Sequence, residues 1–122
     1  MDVYDAVPTP AQLEALVTAM CVVGFADGEL TCEALGKLGH ELDEVGWWDG
    51  LSEDEIDLLL ERAADRARAI SELRDPCARQ RELQRIARQL GTTRMRKTAY
   101  AMAWEIDPRA AVLGVLAAVL AV

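Results

Sequence analysis

At 122 residues the chain has the length of one domain and can bury a core of its own, and with 52% hydrophobic and 28% charged residues it is not a disordered chain. A net charge of −8 excludes nucleic acid as a general partner, because phosphates repel an acidic surface and nonspecific affinity depends on Lys and Arg releasing counterions. The charge is unevenly spread: residues 1–61 hold fifteen acids against one base, Lys37, whereas residues 62–122 hold twelve bases against six acids.

Thr9-Pro10-Ala11-Gln12 opens the first element, with Thr9 as cap, Pro10 in the first turn and Gln12 to complete a capping box. Leu13, Leu16, Val17, Met20 and Gly24 then follow helical spacing, and predict one buried face on a helix over 8–25. After Ala26-Asp27-Gly28-Glu29-Leu30, Thr31 restarts helix over 31–45, with Glu33 in its first turn and Leu35, Leu38, Leu42 and Val45 as its apolar stripe. Gly46-Trp47-Trp48-Asp49-Gly50-Leu51 reads as a corner in which one Trp plugs the core and its neighbour is half exposed.

Ser52-Glu53-Asp54-Glu55 is a second capping box, opening a helix over 52–70 whose inner face is Ile56, Leu59, Leu60, Ala63, Ala67 and Ile70. Asp75-Pro76 starts a helix over 76–90, carried by Leu83, Ile86, Ala87 and Leu90 and stopped by Gly91. Met95, Ala99, Met102 and Ile106 mark a helix over 93–106, and Asp107-Pro108 opens an apolar helix over 108–122. No segment of useful length alternates with period two, so the expected fold is all-α: one compact domain of five to six antiparallel or orthogonal helices.

Cys21, Cys32 and Cys77 include no Cys-x-x-Cys pair and His40 is the sole histidine, a poor set for structural zinc. Beside apolar stripes these thiols read as small hydrophobes in a reducing compartment, and Met1-Asp2-Val3-Tyr4 lacks the features of a signal peptide, so a cytoplasmic location is expected. The uncharged run 110–122 is shorter than the roughly 20 residues of a membrane span, and is expected to be a buried helix. Ser52 and Ser71 have no His-Asp context and there is no glycine-rich phosphate loop, so no catalytic residue is assigned and the chain is not read as an enzyme. His40 is expected at or near the surface, as are the arginines from Arg62 to Arg96.

The chemically distinctive stretch is Phe25-Ala26-Asp27-Gly28-Glu29-Leu30-Thr31-Cys32-Glu33. Asp27, Glu29, Thr31 and Glu33 offer oxygen at every second position across a helix–loop–helix joint, the ligand type that calcium and magnesium require. The spacing is not that of an EF-hand. The plainer alternative makes Asp27-Gly28 a tight turn and Glu33 a carboxylate that complements the helix dipole.

Ala26-Asp27-Gly28-Glu29-Leu30 after an apolar helix, followed by an acidic helix start, resembles the repeated signature of tellurite-resistance TerB-like proteins. The same fold occurs in the N-terminal region of a membrane-anchored co-chaperone. Trp47-Trp48-Asp49-Gly50-Leu51-Ser52-Glu53-Asp54-Glu55-Ile56 is similar to the family's link, and Arg96-Lys97-Thr98-Ala99-Tyr100-Ala101-Met102-Ala103 to the helix before its second Asp-Gly-Glu turn. The likeness spans roughly residues 13–106. At the second turn this chain instead has Trp104-Glu105-Ile106-Asp107-Pro108, so of a two-turn site it keeps Asp27, Glu29 and Glu33, with Glu105 and Asp107 at altered spacing.

The resemblance implies a non-catalytic module of a tellurite, metal or general stress response. It would bind a weakly held calcium or other divalent cation, or a protein partner, at the Asp27–Glu33 joint. Peripheral association with a membrane complex, without a membrane span, is the other partner expectation. The alternative is a metal-free homodimeric scaffold in which the acidic N-terminal half pairs with the basic C-terminal half.

Overall fold

The computed structural model describes residues 8–26 and 30–121. Helices are its only regular structure among these residues: α1 (Pro10–Gly24), α2 (Cys32–Val45), α3 (Glu53–Glu72), α4 (Pro76–Leu90), α5 (Thr93–Ile106) and α6 (Val112–Leu120).

Each of the first five helices begins on a side-chain cap that satisfies an otherwise orphaned backbone N–H. Thr9 and Ser52 form complete capping boxes with Gln12 and Glu55. Thr31, Asp75 and Thr92 accept from the backbone N–H groups of Ala34, Cys77 and Met95. Between α2 and α3, Gly46 takes φ 67, a left-handed conformation that glycine adopts without a Cβ penalty, and the chain turns there. The corner then divides its two indoles as expected: Trp48 is buried, its N–H donating to Asp43 Oδ1 at 2.8 Å, while Trp47 is half-buried.

The architecture is organised around α1, which touches all five other helices. The expected single buried face is corrected here: every residue from Ala15 to Val23 is buried. The run Ala15–Phe25 carries no charge, and a helix apolar on all sides is stable only when surrounded. Its one buried hydroxyl, Thr18, donates back to the Glu14 carbonyl at 2.7 Å, so the interior holds no orphan there. The helices α3, α4 and α5 lay Leu59, Ala63 and Ala67, then Leu83, Ile86 and Leu90, then Met95, Ala99 and Met102 into this core.

Two other expectations are revised. In α2 the inward positions are Ala34, Leu38 and Leu42, whereas Leu35, expected on that stripe, is 42% exposed. The last helix starts at Val112, not at Pro108. Asp107 folds residues 107–110 into a turn, its carboxylate accepting from Arg109 N at 3.1 Å and its carbonyl from Ala110 N at 3.1 Å. α6 buries Leu113, Leu116 and Leu120 against α4 and α5 but leaves Val115 45% exposed, so the apolar tail is buried along one side only. No helix among the described residues is long and apolar enough to cross a membrane.

Opposite charge does little, among the described residues, to hold the two halves of the chain together. Among the described residues a single ion pair joins them, Arg62 Nε to Glu14 Oε1 at 3.3 Å. Apolar packing on α1 makes the connection instead.

Candidate functional site

The acidic joint begins where α1 ends. Phe25 caps the helix with its N–H on the Cys21 carbonyl at 2.9 Å, and its buried ring lies 5.9 Å beneath the Arg68 guanidinium. At Gly24 three helices meet: a Cβ there would collide with the Leu30 side chain and lie 3.6 Å from Ala34 Cβ and 3.8 Å from Ile106 Cγ2. Glycine is therefore what lets the start of α2 and the end of α5 close on the end of α1.

Of the three candidate ligands, Asp27 and Glu29 lie outside the described residues, and Glu33 is exposed in the first turn of α2. The Glu33 carboxylate stands 3.9 Å from Lys37 Nζ, one turn on. Between α1, α2 and α5 lies a groove of about 270 Å³ that takes Thr31, Glu33 and Lys37 from one side and Asp107 from the other. Its floor is Val23, Gly24, Ala34 and Ile106. The joint after α1 and the turn after α5 therefore share one groove.

The two residues standing in for the second turn part company. Asp107 is half-buried in this groove. Glu105 acts electrostatically on Glu41, two turns further along α2 than Glu33. Partial burial, then the Glu105 and Glu44 carboxylates, push the Glu41 carboxyl above its ordinary value, with His40 acting in the opposite sense. Glu41 was not singled out by its sequence context. Its helical register with Glu33 and Lys37 was visible, but its pairing with Glu105 depends on how α2 packs against α5.

Among the described residues, no three Asp, Glu, His or Cys side chains stand close enough together to hold an ion. Glu33 and Asp107 alone supply two carboxylates, with Thr31 as a neighbouring hydroxyl and Lys37 as a built-in cation. Such a set can bind an oxygen-seeking cation loosely, or a polar group of a partner.

A second, wider groove of about 710 Å³ opens on the other flank of the joint, between α2 and α3, lined by Phe25, Ala26, Leu30, Leu35 and Arg68 among others. His40 is exposed and lies 3.1 Å from Glu44. Cys21 is buried, which pushes its thiol up to about 12, so it is a core group rather than a nucleophile. Cys32 and Cys77 depart from the expectation of small core hydrophobes: both are exposed at the beginnings of α2 and α4. The chain matches no family model, no curated protein and no solved structure.

Proposed function

We propose that this chain is a non-catalytic TerB-like binding module that takes a divalent cation at the groove between the α1–α2 joint and the α5–α6 turn. The observation that carries the reading is the meeting of Glu33 and Asp107 on one groove, although 74 positions separate them in the chain. In the family that the chain resembles, the two acidic turns occupy these same two places, after the first and the fifth helix. Asp27 and Glu29, by their position in the sequence, would complete the ligand set from the joint. The stress or metal-resistance setting, the cytoplasmic location and any membrane-complex partner follow from that resemblance.

Carboxylates drawn together repel, so a cation between them relieves repulsion and stabilises the folded state. Lys37 already neutralises part of that charge, and binding is accordingly weak, on the order of 10⁻⁴–10⁻³ M, as in loosely built calcium sites. Ligand binding to the folded state alone adds about 2.7 kcal/mol at a hundredfold excess over Kd. The test is a thermal melt with and without calcium, on the parent and on Glu33→Gln/Asp107→Asn and Asp27→Asn. The expected result is a calcium-dependent rise in Tm for the parent that shrinks in both variants. A parent that calcium leaves unmoved, or variants that shift equally, would leave Glu33 and Asp107 as helix-start and turn residues.

A further inference from the structure

The long helix α3 is uneven in charge along its length: Glu53 to Glu61 holds five acids and no base, and from Arg62 to Glu72 three arginines, Arg62, Arg66 and Arg68, stand against two acids, Asp65 and Glu72. Glu55, Leu58, Arg62 and Arg66 recur at three- and four-residue spacing and so lie on one side of the helix. At the acidic end, this side borders an apolar groove of about 430 Å³ lined by Trp47, Leu51 and Leu58, the last 50% exposed. The Trp47 indole N–H is buried and finds no acceptor among the described residues. At the other end, the same side borders a groove of about 420 Å³ lined by Arg66, Arg85, Arg88 and Gln89, where Glu82 is the single acid. Midway, Arg62 bonds Glu14.

We propose that this side of α3 pairs with the same side of a second copy of the chain, the two helices antiparallel about a two-fold axis near Arg62. The pairing is independent of the cation reading and uses none of its residues. Reversal of one α3 against the other sets the acidic, apolar end of each copy against the arginine end of its partner, so the charge complementarity is satisfied twice. Arginines suit both features of the opposing end. Their stems and guanidinium planes cover Trp47 and Leu58, and their heads reach Asp54 and Glu55. A 20-residue helix is about 30 Å long, and a standard interface of roughly 800 Å² per partner would draw on α4 beside it.

The experiment is sedimentation equilibrium at millimolar chain concentration, from about 0.01 M to about 1 M salt, over which the Debye length falls from about 30 Å to about 3 Å. The 13.4 kDa chain is expected near twice that mass at low salt and to fall toward it as salt rises. Arg66→Glu/Arg88→Glu is expected to be monomeric, as is Asp54→Arg/Glu55→Gln, in which Gln keeps the capping box. Mixed together, the two variants regain opposite charges at both contacts and should form a mixed dimer. A wild-type mass that stays at 13.4 kDa at low salt overturns the proposal, as does a mixture of helical variants that remains monomeric. Should a double variant lose its helical circular dichroism, Arg88→Ala at an exposed position takes its place, with loss of dimer expected and an unchanged dimer counting against the pairing.

Discussion

Helix α1 lies in the floor of the candidate groove and α2 forms one of its walls, and the two helices are held in very different ways. α1 is enclosed by every other helix, and no residue from Ala15 to Val23 reaches the surface. α2 touches α1 and α5 alone among the described helices, buries Ala34, Leu38 and Leu42, and exposes its charged residues other than the partly buried Glu41. The candidate groove thereby has an enclosed helix in its floor and a lightly attached acidic wall. Elements with few buried apolar contacts open at lower free energy than the core, and binding segments are commonly drawn from them. A cation bridging Glu33 and Asp107 would tie the loosely held helix to the turn beyond α5.

The largest effect should come from breaking the enclosed helix. Leu16 is fully buried, and Leu16→Ala removes methyl groups from a site packed on all sides, for an expected loss of about 2–5 kcal/mol in denaturant melts. A loss below about 0.5 kcal/mol would mean that α1 is not the centre of the core. Hydrogen exchange sharpens the contrast without a mutation. Amides of α2 should exchange through an opening at least about 1.4 kcal/mol, or tenfold, easier than those of α1, and equal protection in the two helices would abolish the distinction.

The smallest effect concerns the α2–α5 seam. Glu41 has its folded carboxyl raised above the ordinary 4.5, so the folded state binds more protons than the unfolded state between those two values. Stability from this group therefore rises as pH falls through the raised value toward 4.5, and at neutral pH the ionised carboxylate opposes folding. Glu41→Gln is expected to stabilise by no more than about 0.5 kcal/mol at about pH 7 and to flatten the stability change as pH falls from neutral toward 4.5. Destabilisation by this substitution at neutral pH would contradict the repulsion from Glu105 and Glu44.

The helix starts were legible in the sequence because a cap is a local event. Thr9 with Gln12, and Ser52 with Glu55, close their hydrogen bonds within three residues, and no distant contact is needed to decide them. The inward stripes of α4 and α5 were legible for a similar reason, since a sharp division between apolar and charged positions leaves one way to bury them. Periodicity served less well where composition was one-sided. In α1 nearly every position is apolar, so spacing suggested one face where the uncharged run itself indicated enclosure. In α2 the choice between Ala34 and Leu35 fell to the neighbour: Gly24 admits a small side chain at close range, and the larger leucine is turned out toward the α2–α3 groove.

The candidate site divides along the same line. Acidity of the joint and of the segment after α5 is a property of the sequence, as is the composition that makes the chain all-helical. Which carboxylates meet was decided by packing. The close contact of Gly24 with Ala34 and Ile106 sets the register of α2 and α5 on α1, and that register puts Asp107 and Glu33 on one groove and Glu105 within electrostatic reach of Glu41. Side chains this far apart in the chain have no local interaction by which to select each other, so the apolar contacts beneath them make the selection.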